Sequence, residues 1–346
     1  MPWTKLVADA KQFDMSADFK KKRTLSYREA VLEAQCQAMT ADANVFVMGE
    51  GVDDTNGSFG TTIGLQERFG SNRVLDLPLA ENTCMGMAIG AALTGMRPVL
   101  VHLRVDFTLL AMDQIVNHAA KWHYMFDGRQ CVPVVVRCII GRGWGSAAQH
   151  SQSLQGLFQH VPGLKVVMPA TAYDAKGLLL ASIADNSPVI FLEHRWLYDS
   201  KEHVPENIYT VPIGQSAVPR EGTDITIAAV SLMVHEALAA AKELASDGIE
   251  AEVLDMRCVK PMDRDALARS LNKTGRLIVA DTGNILGGWT AEVAAFVAEE
   301  LLHDLKAPLV RIGLPDIPTP ASAVLETQFY PGKNDIVHTV KRILNA

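Results

Sequence analysis

A chain of 346 residues that is 48% apolar and 21% charged, with a mean hydropathy of +0.10, is long enough for two globular domains. The composition is slightly hydrophobic for a soluble protein that lives alone, a surplus that subunit interfaces could cover. The net charge of −7 and a pI near 5.8, with no basic run longer than Lys20 to Arg23, argue against a nucleic-acid or anionic-membrane partner. Five widely spaced cysteines without a C-x-x-C pair fit a reducing compartment, and no apolar stretch is long enough to span a bilayer. The expected location is the cytoplasm, or an organelle matrix in a eukaryote.

In chain order, residues 1–23 read as an N-terminal arm without the apolar core of a signal peptide. Ser26 to Glu29 then spells a capping box ahead of AVLEAQCQAM, so the folded body is predicted to open near residue 24. Apolar runs NVFVMG (44–49), RVLDLPL (73–79), PVLVHL (98–103), VPVVVRCII (132–140), LKVVMPA (164–170) and PVIFLEH (188–194) suit buried strands. They alternate with helical stretches, among them a continuous helix predicted over 109–126. That alternation is the pattern of a parallel sheet covered on both faces, an α/β domain over 24–197. Residues 198–222 turn polar, with Pro205, Pro212 and Pro219, and read as an interdomain linker. Strands and helices alternate again over 223–346, which predicts a second, smaller α/β domain.

Ligands gather at the carboxyl ends of strands in open parallel sheets, so the informative residues should follow the apolar runs. GEGVDDTNG (49–57) begins like a dinucleotide fingerprint but has Asp54 where the third glycine belongs, and Glu50 there reads by itself more readily as a solvated loop charge than as a functional group. GRGWGSAAQHSQS (141–153) lacks the Gly-Lys-Ser/Thr ending of a phosphate-cradling loop. His150 within it could handle protons near neutral pH or simply be hydrogen-bonded in a loop, and Ser151 or Ser153 could cap the next helix. Glu81, in LAENTCMGMAIGAALTG (79–95), opens a helix, where the macrodipole favours a carboxylate by about 0.3–1 kcal/mol with no function required. Gly86, Gly90 and Thr94 recur on one face of that helix, spaced for close approach of another backbone. Phe107 reads by itself as a core aromatic. The ten scattered histidines make no metal-ligand cluster, and the serine-nucleophile spelling G-x-S-x-G is absent.

Taken together, GEGV, RVLDLPLAENTCMGMAIGAALTGMRP, VDFTLLAMDQIVNHAAK, AAQHSQS, PGLKVVMPATAYDAKGLL and ADNSPVIFLE resemble the beta subunit of the thiamine-diphosphate-dependent 2-oxo acid dehydrogenases. VLDMRCVKPMD, GRLIVADTG and IGLPDIPTP extend the resemblance to a transketolase-type C-terminal domain. The resemblance implies a pyrimidine-binding domain with a parallel sheet, followed by the smaller transketolase C-terminal-like domain. It implies that Glu81 contacts the pyrimidine ring of thiamine diphosphate and so helps to activate it, with Phe107 packed beside that ring and Glu50 nearby. His150 matches a histidine at the substrate end of the channel, where it could stabilise the intermediate or protonate the lipoyl sulfur during acyl transfer. The turn SIADNSP matches a potassium-binding turn through Ile183 and Asp185, and departs from it at Ser187, where asparagine is usual. His102 and Arg104 also depart, standing where the family more often has an acidic residue and a small or apolar one. They put the substrate in doubt more than the cofactor, and AAKWHYMFDG with AAQHSQSL leans toward pyruvate- and acetoin-type members.

The glycine-aspartate-glycine segment followed by asparagine, with which family members hold magnesium and diphosphate, is missing. The chain should therefore carry half an active site. It is expected to work in an alpha2beta2 heterotetramer, with an alpha subunit holding the magnesium and a lipoyl-bearing acyltransferase core as the next partner; no nucleic acid or membrane is expected. The rival readings are the C-terminal half of a split transketolase and a non-catalytic subunit that keeps the fold.

Overall fold

The computed structural model describes residues 23–142 and 145–345; the predicted arm over 1–23 lies outside them, apart from its last residue. The chain divides into two compact units, the first comprising residues up to Ile139 with Val161–Ile213, the second Ile140–His160 with Gly214 onward. Residues 140–160 thus belong with the C-terminal unit, although they lie between strands of the first.

The first unit opens with strand β1 (Thr24–Ser26), helix α1 (Tyr27–Ala41), β2 (Val45–Gly49), α2 (Leu65–Phe69), β3 (Val74–Asp76), α3 (Glu81–Leu93) and β4 (Arg97–His102). It continues with α4 (Ala120–Met125), β5 (Val135–Ile140), β6 (Lys165–Val167), α6 (Ala172–Ala184), β7 (Val189–His194) and β8 (Lys201–His203), while α5 (Gln155–His160) lies in the second unit. Six strands take the order β6-β7-β5-β4-β2-β3. The β2/β3, β2/β4, β4/β5 and β6/β7 ladders are parallel, with Gly49 opposite both Asp76 and Val101. β2, β4, β5 and β7 are buried along their whole length, as near-continuous apolar runs require. The predicted capping box opens α1: the Ser26 amide donates to Glu29 Oε2 at 2.7 Å, and Ser26 Oγ accepts from the Glu29 amide.

Two local readings change. The helix predicted over 109–126 is three pieces: a 3₁₀ helix at Val105–Ala111, a π-helix at Gln114–Ala119, and α4. Residues 198–222 are more than a polar link. Lys201–His203 pairs antiparallel with Thr24–Ser26, Ala217–Arg220 forms β9, and Tyr198, Val204 and Val211 are buried. Short strands with so few apolar positions leave little periodicity to read.

The second unit contains β9, β10 (Ile225–Ala229), α7 (Leu232–Ser246), β11 (Ala251–Asp255), β12 (Cys258–Lys260), α8 (Arg264–Thr274) and β13 (Leu277–Asn284). It ends with α9 (Trp289–Glu300), β14 (Val310–Leu314), α10 (Ala323–Phe329) and α11 (Lys333–Leu344). Its sheet runs β14-β13-β10-β11-β9, parallel except at the β9 edge. No helix among the described residues is long and apolar enough to cross a membrane.

Candidate active site

Glu50, Asp76, Glu81 and His102 all lie at or just beyond the carboxyl ends of β2, β3 and β4. A Cβ at Gly49 would stand 2.5 Å from the Val101 carbonyl oxygen, so β2 ends against β4 only with glycine there. Gly51 turns the chain at φ +62°, and its amide donates to Asp76 Oδ1 at 2.8 Å, tying the Glu50 loop to the end of β3. Glu81 is the first residue of α3 and is buried. Its carboxylate has no hydrogen bond or ion pair with the described residues. Burial, and then the charges of Glu81 and Asp76, push the Glu50 carboxyl above its ordinary range. Burial, Glu50 and Glu81 raise the Cys84 thiol in the same way, which places all three side chains in one electrostatic neighbourhood.

His102 ends β4. The register sets Val101 beside Arg137 and His102 beside Cys138, so the imidazole lies on the sheet face opposite the Arg137 guanidinium. It is 5% exposed, its Nε2 is buried without a hydrogen-bond partner among the described residues, and burial lowers its pKa to about 4. The ring is therefore neutral at physiological pH. Phe107 is half-buried in the 3₁₀ helix that follows. Arg104 is buried, and its charge acts on Arg195, whose guanidinium stands 4.6 Å from the Phe59 ring centre; it does not contribute to the shifts of Glu50 or Cys84. Of the two unusual residues, His102 ends the strand beside β2, whose carboxyl end leads to Glu50, and Arg104 lies two residues further on, where its charge acts on Arg195.

His150 lies in the second unit, exposed, on the loop before α5. Ser153 does not cap that helix: its hydroxyl is buried with no partner. At the turn after α6, the carbonyl oxygens of Ile183 and Asp185 accept from Arg97 Nη1 at 2.9 and 3.0 Å, and Arg97 Nη2 donates to Asn186 Oδ1. Lys165 pairs with the Asp185 carboxylate, and the Ser187 amide donates to Asp185 Oδ1. A guanidinium thus faces the oxygens expected to face a monovalent cation. Among the described residues no group of three or more His, Cys, Asp or Glu side chains could hold a metal ion.

Residues 23–201 match the transketolase pyrimidine binding domain, and residues 214–336 match the transketolase C-terminal domain. Over 334 residues the chain is 46% identical to the acetoin:2,6-dichlorophenolindophenol oxidoreductase subunit beta of Bacillus subtilis (strain 168), covering 93% of this chain and 98% of that one. It is 42% identical to the pyruvate dehydrogenase E1 component subunit beta of Rickettsia felis and 43% identical to the 2-oxoisovalerate dehydrogenase subunit beta of Bacillus subtilis, each over 92% of this chain and 98% of the relative. The chain belongs to the family of 2-oxo acid dehydrogenase beta subunits.

Among solved structures, this beta-subunit chain superposes with a TM-score of 0.77 on a split gene transketolase described as an inactive beta4 tetramer, at 25% identity over 93% of this chain and 98% of that one. A transketolase from Leishmania mexicana, 14% identical, has the same fold at a TM-score of 0.68, with 95% of this chain spanning 47% of it. Two residues escaped sequence reading, one at the carboxyl edge and one at the start of β4. Asp76 sits in the run RVLDLPL, where a lone acid at the end of an apolar strand was the available signal. Arg97 sits in TGMRP, where nothing local marks a partner 86 residues away.

Proposed function

We propose that this chain is the pyrimidine-side half of a thiamine-diphosphate-dependent enzyme. It cleaves a 2-oxo acid or a related acyl donor such as acetoin and passes the acyl group to a lipoyl carrier. One observation carries the reading: a buried carboxylate, Glu81, opens a helix at the carboxyl edge of a parallel sheet and has no donor among the described residues. A ring N–H of a bound ligand would satisfy it, and the pyrimidine of thiamine diphosphate would present one when its ring nitrogen carries a proton. The cofactor supplies, when bound, the acidic thiazolium carbon and the electron sink for decarboxylation.

Glu81 would hold the ring nitrogen of the bound pyrimidine by a hydrogen bond to its carboxylate, which would make the ring's amino nitrogen the better proton acceptor. Glu50, its carboxyl raised above the ordinary range by burial and by Glu81 and Asp76, adds a second acidic group to the same edge. Phe107 gives the ring an apolar wall. In acyl transfer a carbon–sulfur bond forms as the carrier's disulfide breaks, and the departing sulfur takes a proton. The exposed imidazole of His150 delivers it. Magnesium and the diphosphate fall to an alpha subunit in an alpha2beta2 assembly. Leu79, Met87 and Leu110, all more than half exposed around this edge, support a partner surface there.

Purified chain, its alpha partner, thiamine diphosphate and magnesium should together reduce dichlorophenolindophenol with pyruvate, branched 2-oxo acids or acetoin. The chain alone should be silent. Activity without the alpha partner overturns the half-site reading, turnover of sugar phosphates in its place supports a split transketolase, and silence of the whole assembly supports a non-catalytic subunit.

A further inference from the structure

The second unit contains a buried carboxylate that core packing does not call for. β13 and β14 lose register between Ala280 and Asn284, and Asp281 sits in that irregularity, 1% exposed. Asp281 Oδ1 accepts from the Thr282 amide at 2.7 Å, and both carboxylate oxygens accept from Gln155 Nε2 at 2.8 Å. Gln155, also 1% exposed, is the first residue of α5, directly after the loop that bears His150. No cation offsets the burial, which pushes the Asp281 carboxyl up to about 6 against the hydrogen bonds that lower it. Among the residues lining the adjoining cavity of about 420 Å³, Asp316 is the one other ionisable group.

Glycine makes the contact possible at two places. A Cβ on Gly283 would stand 2.6 Å from Gln155 Nε2, and one on Gly156 would stand 3.1 Å from the Gly287 carbonyl oxygen. At the other end of α5, Lys260 Nζ donates to the Gln159 carbonyl at 3.0 Å. The loop itself is tied at its base, where the Gly141 amide donates to the Gln152 carbonyl and Arg142 lies over the Tyr330 ring at 4.7 Å. His150 hangs between these anchors, three residues after Ala147, which adopts φ +56°. A bulky apolar pair at 155 and 281 would allow α5 to slide. An amide donating to both oxygens of one carboxylate allows a single placement.

We propose that Gln155 and Asp281 are positioning residues, a hydrogen-bonded clamp that seats α5 and so holds His150 where it serves the acyl-transfer step. This rests on the reading of His150 given above. The clamp acts on transfer and not on the earlier decarboxylation, so the two half-reactions should separate.

The test uses the chain assembled with its alpha partner, thiamine diphosphate and magnesium. Two rates are measured, 2-oxo acid-dependent dye reduction and acylation of free lipoamide. Gln155→Ala should lower lipoamide acylation about tenfold and leave dye reduction within about twofold, as a displacement of a transfer group by a fraction of an ångström would. Gly283→Ala, which keeps both clamp residues and forces them apart, should do the same. Gln155→Glu alone sets two carboxylates face to face and should be worse, whereas Gln155→Glu with Asp281→Asn re-forms the donor–acceptor pair with roles exchanged and should restore acylation. Amide hydrogen exchange over residues 145–153, measured on the chain without cofactor, should quicken in Gln155→Ala and return in the exchanged pair. Equal loss of both rates, or unchanged acylation and exchange in Gln155→Ala, overturns the clamp. Unchanged acylation in His150→Ala overturns the underlying reading of His150 instead, and the exchange measurement then judges the clamp separately.

Discussion

The interior of the first unit and the carboxyl edge of its sheet both bury acidic side chains, with opposite provision for them. Inside, Glu193 meets Arg137 at 2.7 and 2.8 Å, Arg137 Nη1 also donates to Gln35 Oε1, and the Tyr198 hydroxyl donates to Glu193. Burial acts to lower the Arg137 pKa, and the Glu193 carboxylate outweighs it, so the guanidinium is held above its ordinary value. At the edge, Glu81 and His102 are buried with no hydrogen bond to the described residues. A fully paired network serves the fold, and unmet polar groups gathered at strand ends mark where something else is meant to bind.

The largest effect should come from breaking the paired network. Glu193→Ala leaves the buried Arg137 guanidinium without a counter-charge, with Gln35 its remaining acceptor, and should cost about 3–5 kcal/mol, read as a lower midpoint in urea. The edge should behave in the reverse way. Glu81→Gln keeps the shape and removes the charge, so activity of the assembled enzyme should fall about a thousandfold while the urea midpoint stays within error or rises. A comparable loss of stability in both variants erases the distinction between the two regions.

How far the sequence carried this picture depends on the range of the interaction involved. The α/β alternation, the Ser26 capping box and the place of Glu50 and Glu81 after their strands follow from local patterns, because strand runs and helix starts are spelled within a few residues. The return of residues 140–160 to the C-terminal unit, and the Gln155–Asp281 pair across 126 positions, were invisible because no local period encodes a tertiary partner. Likewise GRLIVADTG reads as a plain strand, although its Asp281 is fully buried. The π-helix at Gln114–Ala119 escaped for another reason: its residues keep a helical apolar period, and the extra residue per turn is a backbone choice.

pH separates two buried groups of opposite sign. Burial lowers His102 from 6.5 to about 4, so the unfolded chain takes up the proton first. The stability it supports is complete above about pH 6.5 and lost as pH falls toward 4, by about 3 kcal/mol. Burial raises Asp281 from 3.8 to about 6, so the folded chain protonates first, and a penalty of about 3 kcal/mol present above pH 6 is relieved toward pH 4. His102→Phe should therefore gain relative stability on acidification. Asp281→Asn should gain it on the alkaline side, each on the transition of its own unit. Parallel slopes in the two variants would contradict both assignments.

The smallest effect concerns the turn after α6. Arg97 already places one positive charge against the Ile183 and Asp185 carbonyl oxygens, and Lys165 balances the Asp185 carboxylate. Each carbonyl oxygen has a second lone pair, so an added potassium ion is sterically conceivable, but it would have to sit beside a guanidinium at a Coulomb cost. Exchanging potassium for tetramethylammonium at constant ionic strength should move the melting temperature by less than about 1 °C, a shift worth a few tenths of a kcal/mol. Arg97→Gln should lower it and make it potassium-dependent, because the amide reaches one carbonyl and leaves the other open. A potassium shift of several degrees in the unaltered chain would mean that the turn binds the ion in addition to the arginine, and the comparison between a self-paired turn and a ligand-seeking edge would then place this turn with the edge.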